Sequence, residues 1–166
     1  MKKVLTFIII FTILFIPIFN KTSYYAYAES NLTQQWKKEK NYLKELEHIQ
    51  KQIYILSSNA LKCIIEKPGE NYKDKTIKEI KFIKTQIREL RVELIAYHKS
   101  KSGDIEKNPI SLALLNSSNY CSMCLSYLVC LLDEQVISNQ NDCLQGYYFS
   151  KYQADQTLMW LENQIK

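Results

Sequence analysis

Apolar residues recur every three or four positions along most of this chain, with charged and amide side chains between them. Four such stretches stand out. In the first, roughly 32–65, the stripe is Leu32, Trp36, Leu43, Leu46, Ile49, Ile53, Leu56, Ala60 and Cys63. Gaps of that size put the residues on one face of a helix. The second, 74–99, carries Ile77, Ile80, Ile83, Ile87, Leu90, Leu94 and Tyr97, close to the heptad seam of a coiled coil. The third, 109–137, has no charged residue from Pro109 to Leu132. The fourth, 143–165, carries Leu144, Tyr147, Tyr148, Tyr152, Leu158, Met159, Leu161 and Ile165.

The punctuation agrees. Glu66-Lys67-Pro68-Gly69 ends the first stretch, because proline disfavours helix before it and glycine frees the turn. Thr76-x-x-Glu79 has capping-box spacing for the second helix. Asn108 followed by Pro109 is a strong start for the third. The polar run Ser138-Asn139-Gln140-Asn141 marks the break before the fourth, with Asp142 and Gln145 spaced as cap and return. Four helices with short connections pack as neighbours in an antiparallel up-down-up-down four-helix bundle. With three glycines and three prolines in 166 residues, a sandwich or barrel lacks its turns. The uncharged third helix is read as the most buried one. Its alternative, a membrane segment, is opposed by Asn116, Ser117, Ser118 and Asn119 at its centre.

Residues 1–28 follow a different pattern. Lys2 and Lys3 precede an uncharged apolar run, Val4 to Phe19, and Ala26-Tyr27-Ala28 precedes Glu29. This is the anatomy of a secretory signal peptide cut after Ala28. The apolar run is short for a membrane anchor, which wants roughly 20 residues; an uncleaved anchor is the alternative. Cleavage leaves a domain of residues 29–166. The net charge of +5 falls to +2, because Lys2, Lys3 and Lys21 leave and no acid does. A near-neutral domain gives no support to nucleic-acid binding. The wealth of Lys, Asn, Ile and Tyr and the Lys-Lys start suggest a bacterial protein that is secreted or associated with the cell envelope.

Candidate chemistry is sparse. An exported chain can form disulfides, and Cys63, Cys121, Cys124, Cys130 and Cys143 are all available. In an up-down bundle the ends of helices one and three and the start of helix four share a pole. The preferred bridge is therefore Cys63–Cys143, with Cys130–Cys143 next. The odd count leaves at least one thiol unpaired. Cys121-Ser122-Met123-Cys124 is a CxxC, the basis for a redox or metal-binding alternative. It lies about three turns inside the third helix, where no helix N-terminus lowers a thiol pKa. A zinc site also needs two more ligands. Glu45-x-x-His48 occurs once, whereas di-iron bundles use the motif twice; no cofactor or metal follows. His98 has no cysteine near it to form a dyad. Lys78, Lys81, Lys84, Arg88 and Arg91 form a basic strip on helix two, suited to weak contact with an anionic wall polymer or membrane surface. Trp36, Trp160, Tyr147, Tyr148 and Tyr152 supply aromatics for a contact surface. The expectation is thus a non-enzymatic exported protein whose partner is another envelope or secreted protein.

Overall fold

The structure, a computed structural model, describes the backbone of residues 2–101 and 108–165, and the side chains of 33–100 and 108–165. The expected leader and its cut at Ala26, Ala28 and Glu29 lie outside the described side chains, as does Leu32. Within the described residues the chain is all helical, without strands: α1 (Lys2–Ile65), α2 (Glu70–Lys101), α3 (Pro109–Asp133) and α4 (Ile137–Gln164). Residues 1–38 and 39–166 form separate compact units, and the core belongs to the second.

The apolar stripes become that core. Leu43, Leu46, Ile49, Ile53, Leu56, Ala60 and Cys63 of α1 are buried, and so are Ile80, Ile83, Ile87, Leu90, Leu94 and Tyr97 of α2. From α3 come Leu114, Cys121, Cys124, Leu125, Leu128, Leu131 and Leu132. From α4 come Cys143, Tyr147, Ala154, Leu158 and Leu161, with Ile165 just beyond its end. Trp36 of α1 and Tyr148, Tyr152 and Met159 of α4 depart from their stripes and are exposed. Among the described residues no helix is long and apolar enough to cross a membrane. The uncharged α3 instead packs against both α2 and α4. The small residues Ser117, Ser118, Cys121 and Cys124 on α3, with Ser150 and Ala154 on α4, let α3 and α4 lie close.

Polar contacts set how the helices pair. Tyr72 donates to Asn59 near the α1–α2 turn. At the far end of α2, Tyr97 Oη donates to Glu39 Oε1 at 2.6 Å. The two contacts together make α1 and α2 antiparallel over 39–65. His98 Nδ1 pairs with Ser111 Oγ at 2.8 Å where α2 meets α3. Ser111 Oγ also lies 3.1 Å from the Asn108 carbonyl. Glu39 is 1% exposed and has the Tyr97 hydroxyl as a donor. A carboxyl in such a place needs donors, because an unpaired one carries the full desolvation cost.

Three helix ends differ from the sequence reading. α2 starts at Glu70, not near Asp74, because Tyr72 N and Lys73 N already donate to the Gly69 carbonyl. Gly69 supplies a φ of +107° there, following Lys67 at +48°. Thr76 is therefore inside the helix, buried, with its hydroxyl donating to the Tyr72 carbonyl rather than capping. α3 stops at Asp133, and α4 begins at Ile137, so Ser138–Asn141 is helical and the break is 134–136. Glu134 explains the shift. Its Oε1 accepts from Gln135 N and Val136 N, and its carbonyl accepts from Gln140 Nε2. Those backbone donors hold its carboxyl pKa below the ordinary value, Val136 N foremost. The cap at Asn108 is as expected, with Oδ1 accepting from Ser111 N at 3.1 Å. Gly146 sits within α4 because the Tyr127 ring of α3 occupies the place a Cβ would take.

Tyr97→Phe removes a donor from buried Glu39. The expected loss is about 1–3 kcal/mol of unfolding free energy, read by urea titration at neutral pH. A change within error would show that Glu39 does not depend on this hydroxyl.

Candidate functional site

The five cysteines fall into three environments. Cys130 and Cys143 are bonded to each other, thirteen residues apart, across the α3–α4 turn. The preferred Cys63–Cys143 pairing is therefore corrected, and the second choice is the one present. The physical reason is local. The end of α1 packs on the start of α2, so Cys63 Sγ points to Thr76 Oγ1 at 3.9 Å, while α3 and α4 fold back at 134–136 and bring 130 opposite 143. A bridge closing a loop of this size stabilises by about 3 kcal/mol on the chain-entropy model.

Cys121 and Cys124 are buried and unbonded. Burial pushes both thiols up to about 12, reinforced at Cys121 by the neighbouring Cys124 and at Cys124 by Asp155. Cys124 Sγ donates to the Tyr147 carbonyl at 3.9 Å. A nucleophilic or metal-binding cysteine needs the thiolate at working pH, and this environment withholds it. Among the described residues no three His, Cys, Asp or Glu side chains are grouped to hold a metal ion. His48 is exposed on a surface cleft with Lys44 and Glu45.

A polar cluster that the sequence reading missed ties α1 to α4. Asp155 Oδ1 accepts from Gln50 Nε2 and from Tyr54 Oη, each at 2.5 Å. Asp155 Oδ2 takes an ion pair from Lys151 Nζ at 2.7 Å. The ammonium also lies 4.6 Å from the centre of the Tyr54 ring. Partial burial and the bond to Asp155 raise the Tyr54 pKa, which keeps the phenol a donor. Close by in α4, the Tyr147 hydroxyl is buried beside Ser57 of α1, and burial pushes it up to about 12. The signal in the sequence was the Lys151/Asp155 spacing of four. The cluster has a carboxylate, an ammonium and a phenol that satisfy one another, and its bonds tie α4 to α1.

Two surfaces remain. One is the outer side of α4, where Tyr148, Phe149, Tyr152, Met159 and Trp160 are between 39% and 61% exposed. Between Leu144 and Leu161 the only charged residues on α4 are Lys151 and Asp155, and those pair with each other. Of the aromatics proposed for a contact surface, Tyr148, Tyr152 and Trp160 are brought together here, whereas Tyr147 is in the core. Phe149 was missed, because it lies off the stripe that defined the helix. The other surface is the basic strip: Lys78, Lys81, Lys84, Arg88 and Arg91 are all exposed. At the pole shared by the α1–α2 and α3–α4 turns lies a shallow cleft of about 760 Å³ that includes Cys63, Lys73 and Gln140. No protein-family model, curated protein or solved structure matches this chain.

The buried thiols have a pH signature. Each binds its proton more tightly in the folded chain, where it titrates near 12, than at the ordinary 9.0. Their contribution is complete below pH 9 and is lost as pH rises toward 12, by about 1.4 kcal/mol per unit per thiol. Urea midpoints should fall over this range more steeply for the native chain than for Cys121→Ala/Cys124→Ala. Iodoacetamide at pH 8 should label these two cysteines only in denaturant. Labelling at equal rates with and without urea contradicts the burial.

Proposed function

We propose that this chain is an exported antiparallel up-down-up-down four-helix bundle that acts by non-catalytic contact, with the outer face of α4 as its binding surface. Its partner is another envelope or secreted protein. One observation carries the reading: a helix face of roughly three and a half turns, at 3.6 residues per turn, exposes two tyrosines, a phenylalanine, a methionine and a tryptophan, with no charge among them. Water disfavours such a face, and singly scattered apolar residues would need no explanation. Aromatic and methionine side chains with charge depleted is the composition of an interface centre. The flanking Lys151/Asp155 pair and its bonds to α1 hold the face rigid, which lowers the ordering cost of binding. The leader reading places this surface outside the cytosol, consistent with the disulfide of Cys130 and Cys143.

A photo-crosslinking residue at Tyr152, expressed in the native host, should give one discrete adduct. The same residue at exposed Lys44 should not. Phe149→Ala/Trp160→Ala should abolish the adduct, at about 2 kcal/mol or more for an interface-centre aromatic pair, while leaving the helical circular dichroism intact. Absence of an adduct, or identical adducts from both positions, refutes the α4 face. Separately, N-terminal sequencing of protein from envelope and medium should begin at Glu29. A cytosolic pool beginning at Met1 refutes export.

A further inference from the structure

Between α2 and α3 lies a second cleft, of about 410 Å³, lined by Lys81, Lys84, Thr85, Arg88 and Arg91 of α2 and by Ser122 of α3, with Ile87 beneath. Three features set it apart from an ordinary solvated face. First, the cations neighbour one another. Along α2, Lys78, Lys81, Lys84, Arg88 and Arg91 are spaced three or four apart, so each meets like charge on the helix surface, an arrangement that weakens a helix. Secondly, among the described residues none of the five is in an ion pair, although Lys62, Lys75 and Lys151 are; the acids of the same stretch, Glu79, Glu89 and Glu93, stand one or two positions from the cations and not at the three- or four-residue spacing that pairs side chains on a helix. Thirdly, the facing wall cannot help, because α3 has no acidic residue before Asp133. The cleft therefore has one cationic side and one uncharged side, which gives it a positive local field.

The shape selects among anions. The four cations lining the cleft run from Lys81 to Arg91, about 15 Å along the helix at 1.5 Å per residue, with successive steps of about 4.5 to 6 Å. A single small anion would use one or two of them. A flat bilayer meets a convex face better than a recess between helices. A linear chain carrying a phosphate at each repeat can lie along the cleft and meet all four. The guanidinium forks of Arg88 and Arg91 suit the paired oxygens of phosphodiesters. Thr85 is already donating to the Lys81 carbonyl, which leaves the Ser122 hydroxyl as the donor from the opposite wall.

We propose that the α2–α3 cleft binds a linear phosphodiester polyanion, with Lys81, Lys84, Arg88 and Arg91 each meeting a phosphate. This surface is distinct from the outer face of α4, and the two stand or fall separately.

The probe is a fluorescein-labelled poly(glycerol phosphate) chain, titrated with the full-length protein and followed by anisotropy. Saturable binding that weakens with added salt is expected, with a logarithmic slope of roughly −3 for four phosphates on a single strand. Arg88→Gln/Arg91→Gln should lose about tenfold or more in affinity, as expected for two charge-assisted contacts. Lys44→Gln/Lys51→Gln, which removes the same charge from α1, should change it little. Thermal melts monitor folding. If the glutamine pair melts early, Arg88→Lys/Arg91→Lys replaces it, and an intermediate loss is then expected. Four results overturn the proposal: no saturable binding, equal loss in both double variants, complete displacement by inorganic phosphate at matched phosphate concentration, or tighter binding to phosphatidylglycerol vesicles than to the polymer.

Discussion

The structure depends on one constraint: α3 carries no charge from Pro109 to Leu132 and must be covered on two sides. Without charged side chains this helix buries much of its surface, and α2 and α4 both pack on it. The burial has chemical consequences. It buries the thiols of Cys121 and Cys124 and raises their pKa values. It leaves the cations of α2 without partners across the groove, and it pushes the charged side chains of α4 to the flank, where Asp155 and Lys151 meet Gln50 and Tyr54 of α1. The molecule's two distinctive surfaces, one aromatic and one cationic, thus lie on the two helices that flank an uncharged one.

Much of the core was legible because burial writes a period into the sequence. The α2 seam from Ile80 to Tyr97 is buried at each of its apolar positions, and the α1 stripe from Leu43 to Cys63 likewise. The cap at Asn108 was legible too, since its side-chain oxygen and the proline after it leave the backbone few alternatives. What escaped were features made by single contacts across the fold. Glu39 stands on the α1 stripe at helical spacing, where the hydroxyl of Tyr97, 58 residues away, donates to it. Glu134 looked like one more surface charge, but its backbone N–H closes α3 and its carboxylate accepts from the two backbone N–H groups of the turn that follows. Polar runs such as Ser138–Asn141 read as breaks because serine and asparagine favour caps. At the start of a helix the same residues are tolerated, which moved the boundary.

The cysteines show the same division. Geometry at the level of helix ends placed Cys63, Cys130 and Cys143 toward one pole, and the cleft there includes Cys63 along with residues of both turns. Choosing between two pairings needed the position of the α3–α4 turn to within a few residues. That position was fixed by Glu134 and not by any hydrophobic pattern.

The bond from Tyr54 to Asp155 joins residues 101 apart, whereas the bridge between Cys130 and Cys143 and the contact of Tyr72 with Asn59 each span 13. Helical hairpins can close on neighbours alone, early and at low entropic cost. Sealing the first helix against the last waits until position 155 has arrived. A chain threaded out of a cell from its amino end would therefore hold its leucine and isoleucine faces partly open until late in its passage, and would benefit from a companion that shields them meanwhile.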